Sequence, residues 1–130
     1  MSDCYAPLIL VIDDTVTAAE LRLLNSVLES AGYRVLATRN PQRAIEMARD
    51  NDVALILMEH IAPVHGGPSL EQTLKQLKPE VPLVLYSGAW APPAGVMEVA
   101  DHFITKLASI DELLSTIEEL LATNQSRAAA

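Results

Sequence analysis

The chain has 130 residues and a formal charge of -8, with half of its residues apolar and few aromatic, so one domain with an aliphatic core is expected. The acidic balance argues against a nucleic-acid groove, which needs a basic face, and no apolar run approaches the roughly 20 residues that cross a membrane. The N-terminus MSDCYAP lacks the pattern of a signal peptide, and Cys4 is the only cysteine; no disulfide framework is expected, and a cytoplasmic location is.

Leu8 to Ile12 reads as a buried strand that ends directly in Asp13-Asp14. Thr15 to Ala31 follows as a helix, with Leu21, Leu24, Leu28 and Ala31 on one stripe. Asp14 or Thr15 can cap it, and Gly32 is a natural stop. Tyr33 to Thr38 is a second strand. Asn40-Pro41 then reads as an N-cap followed by proline at the first helical position, opening a helix that runs to about Arg49.

Val53 to Met58 is an unbroken apolar run, the third strand, and Glu59 ends it. His65-Gly66-Gly67-Pro68 is a loop. Leu70, Leu74 and Leu77 form the stripe of a third helix, stopped near Lys78-Pro79. Pro82 to Tyr86 is a fourth strand running into Ser87. Pro92-Pro93 forbids an early helix start, so a fourth helix over Gly95 to Ala100 has room for only a turn or two. His102 to Thr105 is a fifth strand running into Lys106. Ser109 with Glu112 has capping-box spacing before a last helix striped by Leu113, Leu114, Ile117, Leu120 and Leu121. Residues 1–130 read as one domain with a core over about 7–122 and a frayed tail over 123–130.

Five strands alternating with helices predict an α/β fold with a parallel sheet and right-handed crossovers. The flavodoxin-like doubly wound order 2-1-3-4-5, with helices on both faces, is the expected topology. The C-terminal strand ends then share one edge, where such sheets bind ligands. They deliver Asp13 and Asp14, a third acid in Glu59, the hydroxyl of Ser87 and the ammonium of Lys106.

In this set the chain resembles the receiver domain of bacterial two-component response regulators, over nearly its whole length from Leu8 to about Leu121. Asp13-Asp14 matches the family's acidic pair. Position 59, four residues before Pro63 and eight before Gly67, matches its phospho-acceptor aspartate. Ser87 and Lys106 match the hydroxyl after strand four and the lysine after strand five, and Phe103 falls on the aromatic switch position. Two departures stand out. The acceptor position holds Glu59, and the family's Lys-Pro, typically cis, is here Lys106-Leu107. A trans peptide is expected there, because without proline the cis form costs roughly 2.5–4 kcal/mol.

The resemblance implies a pocket in which Asp13, Asp14 and Glu59, with the Ile61 carbonyl, hold Mg²⁺, a cation that prefers such oxygen ligands. Glu59 places its carboxylate one methylene further out, about 1 Å, and misplacement on that scale costs about a hundredfold in rate. The longer arm carries charge toward Ser87 and Lys106, partly imitating a phosphoryl group. The expected function is therefore a stand-alone, atypical receiver in phosphorelay signalling. It acts by protein–protein interaction without phosphorylation, is not an enzyme, and requires no cofactor, with Mg²⁺ binding weakly at most. The alternative is a conventional Mg²⁺-dependent receiver that phosphorylates Glu59.

An enzyme of similar architecture fits less well. A haloacid-dehalogenase-type phosphatase wants Asp-x-Asp after strand one, where Thr15 stands in the third place. A flavodoxin wants a glycine-bearing phosphate loop, where Asp14-Thr15-Val16-Thr17 would repel phosphate. His60 and His65 have no cysteine beside them to suggest zinc. Trp90, among small residues and prolines, is either a partner anchor or a patch over its own loop. The expected partner is a protein, either a histidine kinase or a downstream effector, with no nucleic acid and no membrane. Homodimer formation is the family's other habit.

Overall fold

The computed structural model describes residues 6–61 and 67–129, with side chains through Asn124. Cys4, Pro63, His65 and Gly66 lie outside the described residues. The elements are β1 (Leu8–Ile12), α1 (Ala18–Ser30), β2 (Arg34–Thr38), α2 (Pro41–Asp50), β3 (Leu55–Met58), α3 (Leu70–Leu77), β4 (Leu83–Ser87), β5 (His102–Thr105) and α4 (Ile110–Ala129). All pairings are parallel and the strand order is β2-β1-β3-β4-β5, the expected doubly wound arrangement.

Successive strand residues point to opposite faces, so each strand feeds two cores. Leu8, Leu10, Ile12, Ile56, Met58, Leu83 and Leu85 face α2 and α3, where they meet Ala44, Ala48, Leu70 and Leu74. Ile9, Val11, Leu55, Leu57, Val84 and Ile104 face α1 and α4, where they meet Leu21, Leu28, Leu113, Ile117 and Leu121. Burial on both faces explains why β1 and β3 are unbroken apolar runs.

Helix ends follow side-chain capping. α1 begins later than its sequence expectation: Thr17, not Asp14 or Thr15, is the N-cap, in a capping box with Glu20. Asp13 holds Thr15 out of the helix by accepting from both its N–H and its hydroxyl. Gly32 closes α1 with φ +101, while its N–H donates to the Glu29 carbonyl and that of Tyr33 to the Leu28 carbonyl. Asn40 caps α2 with Pro41 at its start. Ser69 and Gln72 form a capping box on α3 that the leucine stripe alone does not reveal.

The fourth helical segment is as short as expected, a single 3₁₀ turn over Val96–Glu98 entered through Gly95. The segment expected as a frayed tail over 123–130 differs from that expectation, since the α4 backbone stays helical to Ala129.

The two-sided sheet sets a clear expectation for stability. Leu57 is 1% exposed and Leu23 68%. Leu57→Ala should cost about 2–5 kcal/mol, whereas Leu23→Ala should stay within about 0.5 kcal/mol of wild type. Urea melts of both variants check this contrast.

Candidate functional site

Three backbone hydrogen bonds extend the sheet one residue beyond its strands and set the site. The Asp13 N–H donates to the Thr38 carbonyl (3.2 Å), the Glu59 N–H to the Ile12 carbonyl (3.0 Å) and the Lys106 N–H to the Ser87 carbonyl (2.6 Å). Asp13, Glu59 and Lys106 therefore leave the same edge, the first two from the neighbouring strands β1 and β3 and the third from β5, beyond β4.

Their side chains converge. Lys106 Nζ lies 2.6 Å from Asp13 Oδ2 and 3.6 Å from Glu59 Oε2. The first distance is a charge-assisted hydrogen bond; the second is an electrostatic contact without one. Asp13 is only 5% exposed, so its carboxylate needs a paired charge. Its other oxygen, Oδ1, accepts from the Thr15 N–H (2.8 Å) and the Thr15 hydroxyl (2.5 Å). Glu59 Oε2 also accepts a long hydrogen bond from the Gly88 N–H, at 3.3 Å.

Lys106 is steadied from below by Tyr86, whose ring centroid lies 5.8 Å from Nζ. Burial pushes the Tyr86 phenol above its ordinary range, and the nearby Lys106 charge opposes that rise.

The other expected site residues are placed less centrally. Asp14 is exposed, and the lysine contact falls on Asp13 instead of it. Ser87 is buried, but its hydroxyl accepts from the Ala89 N–H at 3.1 Å. The polar contact from β4 to Glu59 comes from the Gly88 backbone. Phe103 is half-buried, its ring packed against the core on the α2 and α3 side, and Ile61 packs against the same core. The described residues contain no cis peptide, so Lys106-Leu107 is trans.

Gly88 and Glu71 were not singled out in the sequence, and Thr15 was read as a possible helix cap, not as a partner of Asp13. Thr15 was legible as the second residue after Asp13, the spacing of a local Asx-type turn. Gly88 contributes a backbone group, which no residue type announces. Glu71 resembles any acid in the first turn of a helix.

Mg²⁺ would have to compete for its donors in this arrangement. Both Asp13 oxygens are engaged by Thr15 and Lys106. Asp14 is exposed, and among the described residues no three His, Cys, Asp or Glu side chains are grouped to hold a metal. The Lys106 ammonium supplies the positive charge between the carboxylates that a hard cation would otherwise supply.

The two distances rank the carboxylates. Removing Lys106 leaves Asp13 buried without its counter-charge, so Lys106→Ala should destabilise the fold by roughly 1–3 kcal/mol. In double-mutant cycles, the coupling of Lys106 to Asp13 should exceed that to Glu59, with the larger value about 1–3 kcal/mol. Equal couplings, measured by urea unfolding, would contradict the ranking.

Comparison with known proteins finds relatives of this chain and of its fold. A family model described as the response regulator receiver domain matches residues 9–118. The autoinducer 1 sensor kinase/phosphatase LuxN of Vibrio harveyi is 34% identical over 83 residues, covering 64% of this chain and 10% of that protein. The cell cycle transcriptional regulator CtrA of Caulobacter vibrioides is 26% identical over 123 residues, covering 92% of this chain and 52% of that protein. The chain thus spans about a tenth of the first relative and about half of the second.

Among solved structures, a CheY-like receiver domain protein from Methanospirillum hungatei superposes with a TM-score of 0.78 at 20% identity, covering 94% of this chain and 98% of that one. The response regulator TrrA of Thermotoga maritima, in complex with Mg(2+)-BeF, gives 0.73 at 21% identity, covering 88% and 98%. These likenesses show the shared fold. The family match takes in the strand ends that carry Asp13, Glu59, Ser87 and Lys106, and the chain belongs to the response regulator receiver domain family.

Proposed function

We propose that this receiver domain signals by protein–protein contact without phosphorylation of residue 59, with Glu59 as a built-in charged acceptor for Lys106. Receiver domains are signalling modules of two-component systems, and they interact with histidine kinases and effectors. The finer reading rests on one observation: the Glu59 carboxylate sits 3.6 Å from Lys106 Nζ and 3.3 Å from the Gly88 N–H. A phosphoryl group on a family member engages the same lysine. Glu59 offers it one permanent charge, where a phosphoryl group would carry nearly two.

Further support comes from the chemistry of the edge. Lys106 already neutralises Asp13, so Mg²⁺ would have to displace it to take that carboxylate. Phosphoryl transfer to a carboxylate in this family depends on that metal, so the same contacts that hold Glu59 in place leave it a poor nucleophile. Phe103, packed against the core, is compatible with one signalling state held by Glu59. A charge biases two states only through its differential interaction with them, so Glu59 shifts the balance by as much as its contacts differ between states.

The partner is a protein, either a histidine kinase or a downstream effector. The chain's charge of -8 speaks against nucleic acid, and no described helix is long and apolar enough to cross a membrane. Residues 1–130 act as one receiver unit with no catalytic task of their own.

The test pairs chemistry with binding. Incubation with a small acyl-phosphate donor and Mg²⁺ should leave the intact mass unchanged. A gain of about 80 Da that disappears in Glu59→Gln would make this a conventional phospho-accepting receiver. Glu59→Gln should also weaken binding to the partner recovered by pull-down from the native cell, with no phosphodonor present. Undiminished binding by Glu59→Gln would contradict the built-in acceptor.

A further inference from the structure

The residue after Glu59 makes a second buried polar contact. His60 Nδ1 is hydrogen-bonded to Glu71 Oε2. The His60 side chain is 23% exposed and that of Glu71 only 1%. Glu71 sits in the first turn of α3, between the core residues Leu70 and Leu74. Its other oxygen, Oε1, is buried with no hydrogen-bond partner among the described residues.

A carboxylate in that position is costly to bury. The start of α3 offsets part of the cost through its dipole, and His60 offsets more. An apolar side chain of similar volume would fill the space without any such cost. A polar pair in a place where apolar packing would serve is best explained by what it orients.

The surroundings show what that is. The Glu59 N–H is fixed to the Ile12 carbonyl of the sheet. His60 is the next residue, and its ring is fixed to α3. The peptide that joins Glu59 to His60 is therefore held from both sides, by β1 and by α3. The contacts of Glu59 Oε2 to Gly88 (3.3 Å) and Lys106 (3.6 Å) are long, so a small rotation at residue 59 would break them.

We propose that His60 and Glu71 are positioning residues for Glu59, and that α3 sets the reach of the Glu59 carboxylate through this buried pair. The proposal rests on the reading of Glu59 as a built-in acceptor. A displacement of α3 would then be passed to Glu59 and onward to Lys106, making α3 a point of control over the site.

The Gly88 amide reports the outcome, because its proton is hydrogen-bonded to Glu59. Glu59→Ala defines its position in ¹H–¹⁵N correlation spectra when that bond is lost. Glu71→Met removes the buried carboxylate with little change in volume and leaves His60 to water. Glu71→Leu is the second variant, should methionine disturb α3. His60→Asn retains an N–H donor close to the place of Nδ1.

In the Glu71 variants the Gly88 amide should move toward its Glu59→Ala position, whether their melting temperature rises or falls. In His60→Asn it should stay near wild type. Folded Glu71→Met and Glu71→Leu proteins with an unmoved Gly88 amide would overturn the positioning role and leave the proposed function standing. A Gly88 amide unmoved even in Glu59→Ala would remove the contact on which both rest.

Discussion

The Lys106 ammonium, held 2.6 Å from a nearly buried Asp13 carboxylate and 3.6 Å from Glu59, is the contact around which the functional edge is arranged. Three strands contribute to it, and each contributing residue is the first beyond its strand. The sheet makes that convergence nearly automatic. Parallel pairing of Ile12 with both Thr38 and Met58, and of Ser87 with Thr105, brings the strand ends level. The backbone bonds at Asp13, Glu59 and Lys106 then carry the ladder one step further. The aliphatic core on both faces holds the register, since a slip of one residue would exchange Leu10 and Ile12 with Ile9 and Val11 between two differently shaped helix layers.

Most of this was legible in the sequence because it rests on pattern. Unbroken apolar runs such as LILVI announce strands buried on both sides, and each such run delivered its polar residue at the same edge. Capping residues were legible where they stood at a standard spacing, as Asn40 and Ser109 did. They were obscured where a side chain competed for the backbone. Asp13 captures Thr15 and so delays α1 to Thr17, which the periodicity of Leu21 and Leu28 could not reveal. The last helix ran past its apolar stripe because helical backbone needs no buried face to continue for a turn or two.

The division of labour within the site was less legible. Asp13 and Asp14 are equivalent as letters, yet one is buried against Lys106 and the other exposed. Strand alternation separates them: adjacent residues leaving a strand point to opposite sides. Ser87 was expected to answer Glu59, but the Gly88 N–H does so, a backbone donor that sequence does not display. The His60–Glu71 contact joins residues eleven apart and depends on the placement of α3 against β3.

The most direct measurement is of the Lys106 ammonium during a Mg²⁺ titration. Its side-chain ¹⁵N–¹H signal, assigned through Lys106→Arg, reports whether the hydrogen bond to Asp13 persists. The signal should stay in its hydrogen-bonded position as Mg²⁺ rises to millimolar concentration. Displacement of the ammonium at micromolar Mg²⁺ would show that the carboxylates prefer the metal, and would contradict the role of Lys106 as their resident counter-charge.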